Sequence, residues 1–268
     1  MPIAELDALK IYYEEAGTGP RLFFISGSGG DLRNKPNQFD SPLARAYSLI
    51  SYDQRGLGQS DNPPGDFSMR QYADDAARLL DHLGIDRIPM MGVSFGGMVG
   101  LELLLQHPDR ISAAVLACTS AGGAGGSSYP LHEIQHLPAR ERAETHLRVS
   151  DLRHTQEWIN ANPEAWEKRV QMVLKNQRPD RDEAGAIKQL EARRYHDTFD
   201  RLGEINAPVL LAGGRYDGVA PVQNMQAIHE RIASSTLEFF EGGHMFLVQD
   251  KSAYPAIMRW LSGVLSDA

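Results

Sequence analysis

The stretch Pro89–Gly100, PMMGVSFGGMVG, places one serine between glycines, where a short apolar run gives way to a helical pattern. Residues 92–96, GVSFG, match G-x-S-x-G, in which a serine occupies a strained turn between a strand and a helix. The small neighbours let backbone and helix approach each other without a clash. An apolar strand precedes Ser94, and residues 98–106 continue as a helix. The stretch therefore predicts a strand-turn-helix unit that presents the hydroxyl of Ser94.

Short β-rich runs alternate with helical patterns on both sides of this unit. The helical patterns lie at 68–83, from Pro221 onward, and at 253–265. The β-rich runs are RLFFIS (21–26), YSLISYD (47–53), RIPMMGV (87–93), ISAAVLAC (111–118), PVLLAGG (208–214) and TLEFF (236–240). This alternation is typical of a parallel sheet with crossover helices, and residues 9–16 predict an antiparallel strand ahead of it. We expect an α/β fold.

The alternation breaks between residues 121 and 199. Residues 121–128, AGGAGGSS, predict a flexible hinge or loop, and residues 131–195 have a charged, helical pattern without strand signals. We therefore predict a core made of residues 1–120 and 200–268, with residues 121–199 inserted as a helical cap over one end of the sheet.

The bulk composition narrows the classes of partner. The chain has 268 residues, 42% of them hydrophobic, which suits one large α/β domain or a domain with an insertion. A net charge of -8 without a basic stripe argues against nucleic acid. Cys118 is the single cysteine, and we expect a buried, inert thiol. No apolar run approaches a membrane span and no secretory leader pattern opens the chain, so the expected location is the cytoplasm, with no membrane partner.

A serine hydroxyl is a weak nucleophile, so Ser94 needs a base and a group that orients this base. Asp217 follows the run PVLLAGG, and His244 follows the run TLEFF in a glycine-rich loop. Because parallel strands end at one edge of the sheet, the three side chains are predicted to converge there. We expect His244 to take the proton of Ser94 and Asp217 to orient the imidazole.

Acyl transfer also needs donors for the oxyanion. The backbone N–H of Phe95, directly after Ser94, is one candidate. The second candidate is the N–H of Ser28, in the turn Gly27-Ser28-Gly29-Gly30 that follows RLFFIS.

Together these segments resemble the α/β-hydrolase superfamily over essentially the whole chain. The resemblance is carried by ISGSGGD (25–31), SYDQRGLGQS (51–60), GVSFGG (92–97), GRYD (214–217) and GGH (242–244), with the chain order serine, aspartate, histidine. Within the superfamily, the chain is most similar to the 3-oxoadipate enol-lactonase and carboxylesterase-like branch. Ser26 departs from the family, which usually has a histidine before the oxyanion-loop glycine. The resemblance implies a mostly parallel sheet flanked by helices, a helical cap, hydrolytic activity and no metal or organic cofactor.

A serine that attacks a carbonyl points to a small-molecule carboxylic ester or lactone, cleaved through an acyl-enzyme on Ser94. Members of the superfamily that attack saturated carbon need a carboxylate at that position. A carbon-carbon bond hydrolase of the same fold and a slow-turnover small-molecule receptor stay open as alternatives. The acyl and alcohol groups and the presence of a homo-oligomer also stay open.

Two motifs suggest other chemistry. Residues 132–136, HEIQH, match a zinc-binding pattern, but Pro130 and Pro138 limit any helix there to roughly two turns, which favours solvated cap histidines. Residues 56–61, GLGQSD, begin like a dinucleotide-binding loop, but a third glycine is missing and prolines follow instead of a helix.

Three further sets of residues have structural interpretations. Asp53 and Arg55 are predicted to pair at a strand-to-turn corner. The spacing of Trp158 and Trp166 favours helix packing over a pocket lining. The dipeptide at 196–197, His-Asp, is interpreted as structural.

Overall fold

The computed structural model describes residues 2–176 and 178–266. Its strands are β1 Ile3–Leu6, β2 Leu9–Gly17, β3 Arg21–Ile25, β4 Ser48–Tyr52, β5 Ile88–Val93, β6 Ile111–Ala117, β7 Val209–Gly214 and β8 Ser235–Phe240. Its α-helices are α1 Met69–His82, α2 Phe95–Gln106, α3 Ala139–Ser150, α4 Gln156–Ala161, α5 Pro163–Lys175, α6 Glu183–Arg194, α7 Val222–Arg231, α8 Phe246–Gln249 and α9 Ala253–Ser266. Among these, we find no helix with both the length and the apolarity that crossing a membrane requires.

The strands form one eight-stranded sheet in the order β1-β2-β4-β3-β5-β6-β7-β8. The strands β4, β3, β5, β6, β7 and β8 are mutually parallel, whereas β2 pairs antiparallel with both of its neighbours, β1 and β4, at one edge. The predicted α/β fold with a mostly parallel sheet is therefore confirmed, as is the antiparallel leading strand. Strand β1 escaped prediction because it has only four residues and turns at Asp7 without a glycine signal.

The central strands are continuously apolar because helices cover both faces of the sheet. Helices α1, α2 and α7 pack on one face, where Leu79, Leu101 and Ile228 are fully buried. Helices α8 and α9 pack on the other face, where Phe246 and Leu261 are fully buried. The sheet is thus held between two apolar layers, and its carboxyl edge is left to carry polar side chains.

Helix α2 is fixed at its first residue. The ring of Phe95 is fully buried and meets the ring of Tyr72, on α1, edge to face with centroids 5.0 Å apart. Helix α1 begins with a capping box in which the Ser68 hydroxyl accepts a hydrogen bond from the backbone N–H of Gln71. Because α1 holds Phe95, it also holds the turn that precedes it.

Helices α3 to α6 lie between β6 and β7, and the first three of them share a small apolar cluster of their own. Trp166 and Val170 are buried in this cluster and Trp158 packs against it, so the predicted helix packing of the two tryptophans is confirmed. Residues 131–137, expected to be helical, instead form turns, and Pro138 caps the start of α3. The prolines at 130 and 138 explain this difference, since they bound a segment too short to sustain a helix.

Both ends of this helical segment come together on the core. Gly122 pairs with Asp197 in an isolated β-bridge. Near the start of α6, Gly185 packs so closely on the backbone of Gly56 that a side chain would not fit. The segment is therefore seated directly on the loops that end the strands.

The predicted Asp53–Arg55 pair is wrong. Arg55 instead binds Asp75 on α1, with Nη2 at 2.7 Å from Oδ1. The carboxylate of Asp53 accepts the backbone N–H groups of Leu32 at 2.7 Å and Gln59 at 2.8 Å. Both carboxylate oxygens of Asp53 accept hydrogen bonds from backbone N–H groups, so Arg55 pairs instead with a carboxylate on the adjacent helix α1.

Candidate active site

Ser94 occupies the turn between β5 and α2 with φ 54° and ψ -114°, a backbone conformation that residues with a Cβ rarely adopt. A Cβ on Gly92 would meet the carbonyl of Gly96, and a Cβ on Gly96 would meet the carbonyl of Ile25. The glycines of the motif therefore permit the tight turn. The backbone of Ser94 is fixed by its N–H, which donates to the Ala117 carbonyl at 2.8 Å.

The structure brings Ser94, His244 and Asp217 into one chain of hydrogen bonds. The distance from His244 Nε2 to Ser94 Oγ is 2.9 Å, and that from His244 Nδ1 to Asp217 Oδ2 is 2.7 Å. The second oxygen of Asp217 accepts the backbone N–H groups of Val219 at 2.8 Å and Ala220 at 2.9 Å. The Asp217 side chain is fully buried, so its orientation is determined on both oxygens.

Helix α3 ties the loops of the acid and the base together. The carbonyl of Val149 accepts the N–H of Gly218 at 2.9 Å, and the carbonyl of Ser150 accepts the N–H of His244 at 2.6 Å. These carbonyls at the C-terminus of a helix have no intrahelical partner of their own. The last turn of α3 is thus inserted between the two loops.

The pKa of His244 is set by opposing effects. Burial of the ring lowers it, whereas Cys118 and the Asp217 carboxylate raise it, and the net result is a pKa above the ordinary histidine value. Cys118 is buried, as predicted, and its sulfur lies within 4.8 Å of a ring nitrogen of His244 and of an oxygen of Asp217. The direction of the shift follows from the carboxylate at 2.7 Å, which favours the imidazolium.

The loop that contains Ser28 lies against the nucleophile. A Cβ on Gly27 would sit 3.5 Å from the Cβ of Ser94. Gln54 donates from Nε2 to the Ser26 carbonyl at 2.8 Å, and Gln189 of α6 accepts the Gly29 N–H at 2.8 Å. Two glutamine side chains therefore hold the loop in the part of the chain where the family usually has its histidine.

The N–H groups of Ser28 and Phe95 make no hydrogen bond to another group among the described residues. Phe95 is the first residue of α2, so its N–H has no carbonyl within the helix to bond. Neither N–H group therefore has a protein acceptor that would compete with a ligand.

A cavity of about 210 Å³ opens between this loop and the inserted helices. Arg142 and Arg181 line it, and within the described residues no acidic side chain does so and neither arginine has an ion-pair partner. His146 also lines it, and burial, together with the nearby His244 and Arg193, lowers its pKa to about 4. At neutral pH the wall is thus positively charged through its arginines, and His146 is neutral.

A second cavity, of about 410 Å³, lies on the other side of the loop. His244, Gly27 and Val93 reach it from the site, and the rest of its lining is largely apolar. The exposed side chains of Met245 and Val248 continue this apolar surface outward. The site is therefore flanked by a basic cavity and an apolar one.

The two competing motifs do not form the sites that their patterns suggest. His132 lies in a turn, with Nε2 at 3.8 Å from its neighbour Glu133, so the helical spacing that zinc binding requires is absent from this stretch. Residues 56–61 form turns, and the first helix after them begins at Met69.

The sequence profile of a protein family described as alpha/beta hydrolase fold matches residues 20–251. The chain belongs to this family. As an alpha/beta hydrolase it is 29% identical, over 242 residues, to a 3-oxoadipate enol-lactonase 2 of Acinetobacter baylyi, covering 88% of this chain and 85% of that protein. It is 30% identical over 255 residues to a putative carbamate hydrolase RutD of Pseudomonas savastanoi pv. phaseolicola, covering 90% of this chain and 93% of that protein.

Among solved structures, this alpha/beta hydrolase is similar to the enol-lactonase from Burkholderia xenovorans LB400, with a TM-score of 0.76 and 22% identity. The match covers 99% of this chain and 100% of that one. This structural match shows the fold. The family profile and the curated relatives confirm the predicted superfamily and its enol-lactonase-like branch, and they identify the chain as a hydrolase.

Four residues of the site were missed from the sequence: Arg142, His146, Arg181 and Gln189. Arg142, His146 and Gln189 lie on inserted helices and Arg181 lies in the loop before α6. Charged and polar residues are common throughout this segment, and no motif marks the few that face inward. Arg142 and His146 are four positions apart on α3, so they share one face. That spacing was the one signal available, and it does not say which face meets the core.

Proposed function

We propose that the chain is a serine hydrolase that cleaves a carboxylic ester or lactone of a small molecule through an acyl-enzyme on Ser94. The observation that carries the proposal is the hydrogen-bonded chain from Ser94 through His244 to Asp217, with 2.9 Å and 2.7 Å between the bonded atoms. A hydroxyl, an imidazole and a buried carboxylate in this order form the arrangement that activates serine for attack on a carbonyl.

In this mechanism His244 Nε2 accepts the hydroxyl proton while Ser94 Oγ attacks the carbonyl carbon. Asp217 keeps the ring proton on Nδ1 and stabilises the imidazolium that forms. When the tetrahedral intermediate collapses, His244 donates its proton to the departing alcohol oxygen, or to the ring oxygen of a lactone. Water then enters, gives a proton to His244 and cleaves the acyl-enzyme, which restores the Ser94 hydroxyl.

The N–H groups of Ser28 and Phe95 stabilise the oxyanion. Their freedom from other hydrogen bonds supports this assignment, and so does the contact of the Ser28 loop with Ser94. Such a donor contributes about 3 kcal/mol to stabilisation of the transition state. Gln189 is a positioning residue in this scheme, because it holds the neighbouring N–H of Gly29.

The cavity beside Ser28 indicates the charge of the substrate. Residues 121–199 act as a cap on the core of residues 1–120 and 200–268, and the space beneath this cap is lined by Arg142 and Arg181. Positively charged walls without acids favour a substrate with a negative charge. An ester or lactone that bears a carboxylate suits this cavity, and relatives named as an enol-lactonase and carbamate hydrolases place lactones and carbamates beside esters in the panel to be tested.

The experiment combines turnover with detection of the intermediate. Wild type and Ser94→Ala are assayed on esters, lactones and carbamates of graded size, each with and without a carboxylate, and on a diketone as the substrate type of carbon-carbon bond hydrolases. Intact-protein mass spectrometry after rapid quenching should show an acyl adduct on the wild type and none on Ser94→Ala. Ester turnover that persists in Ser94→Ala would contradict the assignment, whereas fast cycling on any ester excludes a slow-turnover receptor.

A further inference from the structure

A third cavity, of about 340 Å³, lies where the inserted helices meet the end of β6. Its volume is within the range of small-molecule pockets. It shares no lining residue with the cavity beside Ser28, and Ser94 and His244 do not line it. The turn at 130–134 separates the two, because Leu131 and Ile134 face the Ser28 cavity whereas His132 and Glu133 line this one.

Arg193 of α6 lines this cavity and is 5% exposed. Its Nη1 donates to the Tyr129 carbonyl at 2.9 Å, but Nε and Nη2 are buried and have no acceptor among the described residues. Burial lowers the pKa of Arg193 to about 10, so the side chain is still a cation at neutral pH. A buried cation without an anionic partner is costly, which makes this one unusual.

The two unpaired nitrogens are the pair that a guanidinium uses to hold a carboxylate with parallel hydrogen bonds. The same chain shows this use repeatedly. Nε and Nη2 both bind one carboxylate in Arg21, Arg33, Arg55, Arg153 and Arg178. In Arg193 the same two nitrogens are buried, and no carboxylate among the described residues binds them.

The neighbouring polar groups fit the same kind of ligand. His196 is 6% exposed, its Nε2 is 3.1 Å from the Ser120 carbonyl, and its Nδ1 is buried without a partner. Because burial lowers the pKa of His196 to about 4, the ring is neutral, and donation from Nε2 leaves Nδ1 as an acceptor. Two buried side chains that line the cavity, Arg193 and His196, thus have two donors and one acceptor without a partner among the described residues.

The charged groups at the rim already have partners. Glu133 lies 3.8 Å from His132, and Arg194 lies 3.6 Å from Glu191. Neither Glu133, which lines the cavity, nor Glu191 beside it is paired with Arg193, so among the described residues its buried edge has no acidic partner.

We propose that this cavity is a second ligand site, separate from the catalytic centre, that binds a small carboxylate through Nε and Nη2 of Arg193. A hydroxycarboxylate suits it best, because a hydroxyl on the adjacent carbon donates to Nδ1 of His196. The site does not depend on the hydrolytic mechanism, so its test needs no turnover.

Binding of lactate is measured by isothermal titration calorimetry in a buffer free of carboxylate and phosphate, with lactamide as the neutral analogue. Wild type should bind lactate at least tenfold more tightly than lactamide, and its Tm should rise with lactate concentration. The double variant Arg142→Gln/Arg181→Gln should keep this response, since it alters only the other basic cavity. Lactate binding that disappears in this double variant, or equal binding of lactamide, would overturn the proposal.

Variants of Arg193 separate a ligand site from a structural arginine. Arg193→Met should lose the lactate response and, without lactate, should have a higher Tm than wild type because an unpaired buried charge is removed. Arg194→Gln, the adjacent rim residue, should respond like wild type. Arg193→Lys keeps the charge but not the paired donors, so its lactate affinity should fall at least tenfold. An Arg193→Met or Arg193→Lys protein that still binds lactate like wild type refutes the assignment.

Discussion

Replacing Asp217 by asparagine tests how the base is oriented, because the two oxygens of the carboxylate have different partners. Oδ1 accepts two backbone N–H groups, from Val219 and Ala220, and Oδ2 faces Nδ1 of His244 at 2.7 Å. In Asp217→Asn the amide oxygen must remain at the N–H groups, since an NH₂ there would face two donors. The NH₂ therefore points at His244 and forces Nδ1 to accept, which moves the ring proton to Nε2.

With a proton on Nε2, His244 donates to Ser94 Oγ and cannot take its proton. Loss of the correct tautomer in a serine–histidine–aspartate triad lowers kcat on the order of 10⁴-fold, which corresponds to about 5.4 kcal/mol in the activation free energy. The Tm should change little, because both backbone hydrogen bonds survive.

The assay is steady-state hydrolysis of the best ester from the panel, with Tm measured by calorimetry. Asp75→Asn is the matched control: it also replaces a buried carboxylate, paired with Arg55, and should lower Tm while kcat changes less than tenfold. An Asp217→Asn enzyme that keeps kcat within tenfold of wild type, with Tm unchanged, would refute the assigned role of Asp217.

Three other perturbations have defined outcomes. The kcat/KM of a neutral ester should rise with pH as the imidazole of His244 loses its proton. The midpoint should lie above pH 6.5, because Cys118 and Asp217 raise the pKa of His244 by more than burial lowers it. A midpoint below pH 6.5 would contradict this electrostatic picture. Arg181→Gln should raise the KM of a carboxylate-bearing ester about tenfold, or about 1.4 kcal/mol, and leave the KM of a neutral ester unaffected. The control is Arg178→Gln, which should change neither KM because the charge of Arg178 is already paired with Asp180. Equal effects of Arg181→Gln on both esters would exclude a charge contact. The Tm of Ser94→Gly should be about 2–4 °C above that of Ser94→Ala, since glycine relieves roughly 1 kcal/mol of backbone strain at φ 54°. If calorimetry finds Ser94→Ala to be the more stable variant, the turn is not strained.

Local patterns predicted most of the core because each depends on residues close together in the chain. The β-rich runs became β3 to β8 within a residue or two. The signal is strongest for the central strands, since a strand covered on both faces must be apolar along its length. The turn at Ser94 was predictable for a similar reason. Gly92 and Gly96 are needed where the backbone approaches itself, and that need is visible in five residues.

The order of parallel strands also predicted that Ser94, Asp217 and His244 meet. Each follows a strand at the carboxyl edge of the same sheet, and topology alone brings these ends together. The expected pair of Asp53 and Arg55 failed for the opposite reason. Which carboxylate an arginine finds depends on the helix packed beside it, and here Asp75 on α1 was in reach.

By itself the sequence determined the sheet, the turn at the nucleophile and the identity of the three residues that converge there, because backbone sterics and strand order are encoded locally. Only the tertiary structure decided which side chains of the inserted segment face inward. Arg142, Arg181 and Arg193 look alike in the sequence, yet two line the cavity beside Ser28, whereas the third is buried beside another cavity with two nitrogens that have no partner among the described residues. The physical reason is that long charged side chains take their roles from the partners that packing leaves within reach, and those partners lie far away along the chain.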